Sequence, residues 1–210
     1  MMDIDIEKYI LEISTPEDEI LNELYRKTYT SVLNPNMISG HIQGKLLEML
    51  VRMIRPSLVL EIGTYTGYSA ISMARALPEN GKLHSIEIND ELADISSEYV
   101  QKAGLEDVIV LHTGDALDIM KEMKLLFDLI YIDGDKRQYP QYYELALDRL
   151  KRNGYILVDN VLWDGKVVDH GKNDPMTEGI QRFNQMVKED QHVEKIIIPA
   201  MDGLMIIRKY

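Results

Sequence analysis

The chain of 210 residues has no cysteine, one tryptophan and only two phenylalanines. The lack of cysteine excludes disulfide bonds, thiolate metal sites and a cysteine nucleophile. No apolar run reaches the ~18 residues that a membrane-spanning helix needs. The opening MMDIDIEKYI also lacks the basic segment and apolar stretch of a secretory signal. We therefore expect a cytoplasmic protein with no membrane partner.

Basic residues are also scarce, because 23 Lys and Arg stand against 35 Asp and Glu, with a formal net charge of -12. A strongly acidic chain tends to repel nucleic acid and anionic membranes. A local basic patch can outweigh the total charge, so an RNA substrate stays open. The length suffices for one large domain with a full core, and we expect a single domain over residues 1–210.

The first 54 residues have a helical pattern. The segment STPEDEILNELYRKTYT offers Ser14 or Thr15 as an N-cap, with Pro16 in the first turn. The segment SGHIQGKLLEMLVRMI carries apolar residues at helical spacing, and Pro56 ends it. We predict a helical cap region over residues 1–54 and a core over residues 55–210.

From residue 57 onward the apolar period becomes that of short buried strands. Five such runs alternate with helical stretches, which predicts right-handed crossovers and a parallel sheet. The strand runs are SLVLEIG, KLHSIEIN, VIVLHTG, FDLIYID and GYILVDN. The helical stretches are 67–77, 90–103, 115–124, 139–152 and, after the last of these strands, 176–190.

The last two strand runs, VEKIIIP and GLMIIRK, are separated by a gap that is too short for a helical crossover. They should therefore pair antiparallel. The sequence thus predicts an α/β fold with a seven-stranded, mostly parallel sheet, one antiparallel strand and helices on both faces.

Three strand ends in the first half of the sheet carry residues that suit a ligand. Open α/β sheets bind ligands at the carboxyl ends of their strands. Gly63 and Gly67 flank a strand-to-helix turn whose spacing is neither a dinucleotide fingerprint nor a phosphate loop. Glu87 suits a pair of ribose hydroxyls, and Asp115 either binds an adenine amine or caps the next helix. Together these ends indicate an adenosine-containing ligand without phosphates.

Two further strands end on acidic residues. FDLIYIDGDKRQY leads from a buried run to Asp133 and Lys136, and GYILVDNVLW leads to Asp159 and Asn160. Two carboxylates and an amide oxygen are hard ligands that suit Mg²⁺ or Mn²⁺. Without a cation, two buried acids at one edge repel each other and one becomes protonated. The alternative is a turn at Asp159 and Asn160 and a helix cap at Asp133.

The motifs LEIGTYTGYSAI, IDGDKRQY and VDNVLWDGKVVD together resemble the cation-dependent O-methyltransferases of the catechol and caffeoyl-CoA type. The resemblance runs from about Met37 to Tyr210. It implies a Rossmann-like class I methyltransferase fold with S-adenosylmethionine (SAM) as the methyl donor. It also implies one divalent cation, Mg²⁺ or alternatively Mn²⁺ or Ca²⁺, and a homodimer.

The same resemblance implies which residues contact SAM. Glu61 matches an acid near the methionine amino group, Glu87 matches the ribose ligand, and Asp115 with Ala116 matches the adenine contact. The full set of implied cofactor contacts is Ser39, Glu61, Gly63, Gly67, Ser69, Glu87, Asp115, Ala116 and Asp133.

For the cation and the chemistry, the resemblance implies Asp133, Asp159 and Asn160 as ligands. Lys136 then takes the proton from the hydroxyl that is methylated, with Asp133 beside it as the second catalytic residue. Trp163 forms either an apolar wall for an aromatic substrate or part of the core.

Three functions stay open at this point. The first is a metal-dependent O-methyltransferase that acts on a catechol-like or other vicinal-diol small molecule. The second is a tRNA nucleoside O-methyltransferase on the same scaffold, because some bacterial members of the family act on tRNA. The third is a SAM-binding module without catalysis, which would need neither the cation ligands nor Lys136. The five histidines have no ligand spacing and are assigned no role.

Overall fold

The computed structural model describes residues 4–169, 171 and 174–210, so the first three residues of the predicted cap region lie outside it. Its seven strands are β1 Leu58–Ile62, β2 Lys82–Glu87, β3 Ile109–Thr113, β4 Phe127–Ile132, β5 Leu150–Val158, β6 Val193–Ile198 and β7 Leu204–Lys209. Their order across the sheet is β3-β2-β1-β4-β5-β7-β6. Among the described strands, β7 pairs antiparallel with both β5 and β6, and the other four pairs are parallel. The predicted mostly parallel sheet with one reversed strand is confirmed.

Helices cover the sheet on both of its faces, as predicted. They are α1 Ile4–Ile13, α2 Glu19–Ser31, α3 Gly40–Ile54, α4 Tyr68–Ala74, α5 Ala93–Lys102, α6 Ala116–Glu122, α7 Tyr139–Arg149 and α8 Pro175–Glu189. One core layer joins α2, α3, α4 and α5 to the sheet, and the other joins α6, α7 and α8 to it. None of the helices in the described part of the chain combines the length and apolar character that a membrane crossing requires.

The start of α2 differs from the sequence prediction. The Asp18 carboxylate, rather than the Ser14 or Thr15 hydroxyl, accepts the first free backbone N–H groups of this helix at 2.9 and 3.2 Å. Ser14 instead donates its hydroxyl to the Ile10 carbonyl, at 2.6 Å, where α1 ends. The predicted cap was therefore wrong, because Ser14 is bonded to the end of the preceding helix.

The boundary between α7 and β5 also differs from the prediction. The helix was predicted to continue to residue 152, but it ends at Arg149 and the strand begins at Leu150. Leu150 is buried and lies in register with Phe127 of β4, next to an irregularity in the ladder. Because Leu150 is buried against β4, the strand begins there rather than at Gly154, where the sequence predicted its start.

The carboxyl ends of the central strands are aligned. The last paired residues in register are Ile62, Ile86, Ile132 and Val158. The backbone N–H groups of Asp133 and Asp159 extend this alignment by donating to the carbonyls of Ile62 and Ile132, at 2.9 and 3.0 Å. The residues that follow β1, β2, β4 and β5 therefore lie along one edge of the sheet.

Candidate active site

The turn after β1 contains the two glycines that the sequence singled out. Gly63 has a φ of 103°, and a Cβ there would lie 2.5 Å from the Asp133 carbonyl oxygen. This glycine is therefore required where the ends of β1 and β4 meet, which is a reason that sequence reasoning did not find. Gly67 has a φ of 96° and is the N-cap of α4. Only glycine adopts such backbone angles without strain.

Glu61 lies inside the sheet beneath this turn and is fully buried. Ser85 donates to its Oε2, and Ser69 also hydrogen-bonds to the carboxyl group. Burial raises the pKa of Glu61 to about 8, and the charges of Asp133 and Glu87 act in the same direction. Its Oε1 has no hydrogen-bond partner among the described residues. A buried acceptor of this kind suits a donor group on a ligand.

Glu87 ends β2 with both carboxylate oxygens held by backbone groups. Oε2 accepts the N–H of Tyr65 at 2.7 Å, and Oε1 accepts the N–H of Asn89 at 2.9 Å. These bonds fix the orientation of the side chain and anchor the left-handed Tyr65, whose φ is 49°. A groove beside Glu87 is lined by Thr64, Ala93, Ser96, Ser97, Leu111, His112 and Thr113. Glu87 thus lines a groove at the carboxyl edge of the sheet.

Asp115 caps α6, which is one of the two roles the sequence left open. Its Oδ1 accepts the N–H groups of Leu117 and Asp118, at 2.8 and 3.3 Å. Ala116 is the buried first residue of that helix. Ser39 is half-buried just before α3, where its side chain makes no capping bond. Their contacts with a cofactor stay predictions.

Asp159 is a buried carboxylate at the end of β5, with 4% of its surface exposed. Gln43 of α3 donates its Nε2 to Asp159 Oδ2, and the Tyr131 hydroxyl lies 3.4 Å from the same oxygen. Burial and the charge of Asp133 raise the pKa of Asp159 to about 7, although Lys136 and the Gln43 bond act in the opposite direction. The two carboxylates predicted to share a cation therefore do influence each other.

The turn after Asp159 fits an amide as a third oxygen ligand. Asn160 is half-buried and has a left-handed φ of 56°, which asparagine tolerates better than most residues. The Tyr139 hydroxyl donates to the Asp159 carbonyl at 3.0 Å and holds the turn in place. In the described part of the chain, no three His, Cys, Asp or Glu side chains form a metal-binding group. The donor set of two carboxylates and one amide still matches a hard divalent cation.

Lys136 points into the site. Its Nζ lies 2.6 Å from Asp133 Oδ1 and 5.3 Å from the centroid of the Tyr139 ring, and 13% of the side chain is exposed. Burial alone would lower the pKa of Lys136, but Asp133 and Tyr139 raise it above its ordinary value. The neighbouring Arg137 is exposed and pairs with Asp135 at 2.9 Å. Of the two adjacent basic residues, only Lys136 is held at the sheet edge.

Trp163 lies in the segment that follows the Asp159 turn. Its side chain is half-buried and packs against the core layer formed with α6, α7 and α8. The Lys166 Nζ lies 5.6 Å from its ring centroid. The indole Nε1 is buried and has no hydrogen-bond partner among the described residues. Trp163 therefore contributes to the core, while its role as a substrate wall stays a prediction.

Sequence reasoning missed three buried side chains of the site, Gln43, Tyr131 and Tyr139. The signal for Gln43 was present, because it shares one face of α3 with the buried Leu47 and Leu50. A polar residue at an apolar position of a helix indicates a specific partner. The two tyrosines gave no such signal, because a buried tyrosine in a strand or helix is common.

Two of the five histidines that were assigned no role lie side by side in the sheet. His84 Nδ1 and His112 Nε2, on the adjacent strands β2 and β3, lie 2.9 Å apart. Burial lowers the pKa of both imidazoles. Another of the five, His170, lies outside the described residues.

The sequence matches the model of the O-methyltransferase family over residues 11–210. The chain belongs to this family. A catechol O-methyltransferase of Niastella koreensis is 36% identical over 203 residues, which are 92% of this chain and 89% of that protein. A caffeoyl-CoA O-methyltransferase of Pinus taeda is 34% identical over 217 residues, 96% of this chain and 83% of that protein.

Solved structures of relatives have the same fold. An O-methyltransferase from Bacillus cereus in complex with SAH has a TM-score of 0.90 and 31% identity, over 98% of this chain and 97% of that chain. TomG from Streptomyces achromogenes in complex with SAM has a TM-score of 0.90 and 30% identity, over 100% and 99%. The predicted family, the methyltransferase fold and the class of SAM-dependent O-methyltransferases are confirmed.

Proposed function

We propose that this O-methyltransferase uses a divalent cation to methylate one hydroxyl of a catechol-like or other vicinal-diol small molecule. The observation that carries the proposal is the meeting of Asp133, Asp159 and Lys136 at the aligned ends of β4 and β5. A site for binding alone needs no such arrangement. Relatives named for catechol and caffeoyl-CoA support an aromatic acceptor with neighbouring hydroxyls.

The methyl donor occupies the edge formed by β1, β2 and β3. SAM lies across the turn from Gly63 to Gly67, and its ribose hydroxyls bind Glu87. The free Oε1 of Glu61 accepts a bond from the amino group of the methionine part. The other contacts in this proposal are Ser39, Ser69, Asp115, Ala116 and Asp133. Relatives solved with SAM and with SAH support SAM as the methyl donor.

The cation ligands in this proposal are Asp133, Asp159 and Asn160. Mg²⁺ is the expected ion, with Mn²⁺ or Ca²⁺ as alternatives, because all three donors are oxygen atoms. A bound cation would supply Lewis acidity that lowers the pKa of an acceptor hydroxyl. The chain contributes a fixed Asp159 carboxylate, whose Oδ2 is already bonded within the protein.

Lys136 is the base in the transfer. Its neutral Nζ takes the proton from the acceptor hydroxyl, whose oxygen attacks the methyl carbon of SAM as the C–S bond breaks. The products are the methyl ether and S-adenosylhomocysteine, and the proton passes from Lys136 to solvent. In the structure Lys136 pairs with Asp133, so it acts as a base only when that pairing is relieved. Trp163 forms one wall for the aromatic ring in this proposal.

A homodimer and a cytoplasmic location complete the proposal. The tRNA alternative finds no support at the site itself, because the exposed Arg137 is neutralised by Asp135. The net charge of -12 also opposes nucleic-acid binding.

The test is a transfer assay with methyl-labelled SAM and Mg²⁺. It compares a panel of catechols and hydroxycinnamoyl esters with bulk unmodified tRNA. We expect label on the small diols and none on tRNA. Label on tRNA alone would replace the small-molecule proposal with the RNA alternative. Label on no acceptor, from protein that binds SAM, would favour a binding module.

A further inference from the structure

Three buried side chains meet behind the predicted cation site. Gln43 comes from α3, Tyr131 from β4, and Asp159 follows β5. Gln43 Nε2 lies 3.0 Å from the Tyr131 hydroxyl oxygen and also donates to Asp159 Oδ2. The Tyr131 hydroxyl in turn lies 3.4 Å from that carboxylate oxygen. The three groups form a closed hydrogen-bonded triangle away from solvent.

The chemistry of the amide fixes the direction of these bonds. A glutamine NH₂ group has two donors, so one reaches the tyrosine oxygen and the other reaches the carboxylate. Cation binding requires the ionised form of Asp159, and against that form a flipped amide would place its carbonyl oxygen where neither group can donate. The nitrogen of Gln43 must therefore face Asp159. Two donors then hold Asp159 Oδ2, and Oδ1 is the oxygen outside this triangle.

We propose that Gln43 is a positioning residue that fixes the Asp159 carboxylate, so that Oδ1 faces the cation. This inference rests on the proposed cation-dependent function. The Asp159 backbone is already held through the Ile132 and Tyr139 bonds. Rotation of the carboxylate remains, and the buried Gln43 restricts it. Partners that orient a metal-binding carboxylate typically contribute 10- to 100-fold to metal affinity.

The position of Gln43 on α3 adds to this role. The helix starts directly after Ser39, the predicted cofactor contact, and Gln43 lies one turn further along. Gly44 is packed against Tyr68 and Ser72 of α4, so the helix cannot easily shift at this point. Gln43 therefore stands on a fixed element rather than on a loop.

The experiment measures Mn²⁺ binding to the purified full-length protein by calorimetry, together with thermal unfolding. Gln43→Leu keeps the size of the side chain and removes both donors. We expect Mn²⁺ affinity to fall by about 10- to 100-fold, with unfolding still cooperative. SAM affinity without cation should change by less than about threefold. Tyr131→Phe should weaken Mn²⁺ binding less, because its 3.4 Å bond is long and Gln43 remains.

The matched control is Tyr143→Phe. It removes a 2.8 Å bond from another buried tyrosine to a carboxylate, Asp190, which lies outside the site. Its Mn²⁺ affinity should equal that of the wild type.

Wild-type Mn²⁺ affinity in Gln43→Leu would overturn the role of Gln43 and would leave the proposed cation site standing. Failure of the wild type to bind Mn²⁺ would overturn the cation site and the proposed function with it. If Gln43→Leu does not fold, Gln43→Met is measured instead, because methionine keeps the length of the side chain without a donor, and wild-type Mn²⁺ affinity in that variant overturns the inference.

Discussion

The two halves of the sheet edge hold their acids in different ways. In the cofactor half, Glu87 and Asp115 accept backbone N–H groups, several of them only two or three residues away. In the cation half, Asp159 accepts bonds from Gln43 and Tyr131, which lie 116 and 28 positions away in the sequence. The first half is thus built mainly by local turns, while the second depends on how α3 packs on the sheet.

The electrostatic balance differs in the same way. The two serine hydroxyls that bond Glu61 partly offset its burial. Asp159 lies beside a second carboxylate, Asp133. Among the described residues, Lys136 is the only side-chain cation that the structure brings to this pair. A divalent cation would relieve this repulsion, whereas beside Glu61 the proposed source of positive charge is the amino group of SAM. Each prediction below changes one half and leaves the other intact.

The largest effect is expected for Asp159→Asn. This variant should lose methyl transfer to the level of the reaction without enzyme, because a cation ligand is gone. Its thermal midpoint without cation should equal or exceed that of the wild type, because a repelled buried carboxylate has been removed. Transfer assays and thermal unfolding measure the two quantities. Asp118→Asn, at an exposed surface acid, is the matched control and should keep full activity.

Lys136→Met and Lys136→Arg should each lower kcat by about 10²- to 10⁴-fold, the usual contribution of a positioned base. Arginine cannot replace the lysine, because it stays protonated at any working pH. SAM and Mn²⁺ affinity should change little. In steady-state kinetics over a range of pH, the wild-type rate should rise with pH as Lys136 loses its proton, and this rise should be absent in Lys136→Met. Wild-type turnover by Lys136→Met would remove this residue from the mechanism.

Glu87→Ala should weaken SAM binding at least about tenfold, because bonds from a carboxylate to hydroxyls contribute about 1.5–3 kcal/mol each. Mn²⁺ binding in the other half should be unaffected. Calorimetry with each ligand separates the two sites. Glu106→Ala, at an exposed glutamate, serves as the control. Equal SAM affinity in Glu87→Ala and wild type would place the ribose elsewhere.

The smallest effect is a change in how stability depends on pH. The pKa of Glu61 is raised from its ordinary ~4.3 to about 8, so the folded protein without ligands keeps a proton that the unfolded chain loses. Stability should therefore fall as pH rises from about 4 to about 8, and Asp159 contributes in the same direction. Glu61→Gln should reduce the fall in thermal midpoint between pH 5 and pH 8 by at least about 3 °C. An unchanged pH dependence would show that Glu61 is ionised in the folded protein.

The sequence predicted the parts of the molecule that depend on local pattern. Apolar runs that end on Asp133 and Asp159 located both the strands and the site edge, because parallel strands share one edge for their carboxyl ends. The cap at Asp18 was missed because several nearby residues were equally good caps. The pairing of His84 with His112 was missed because strand register sets it. The residue roles and the division into cap region and core stay predictions.

The central claim is that the β4–β5 edge works only with a divalent cation. The most direct measurement is methyl transfer to a catechol acceptor from labelled SAM, first in excess chelator and then after Mg²⁺ or Mn²⁺ is added beyond the chelator. We predict no transfer in chelator and full recovery with the cation, while SAM binding persists throughout. Full activity in excess chelator would contradict the account.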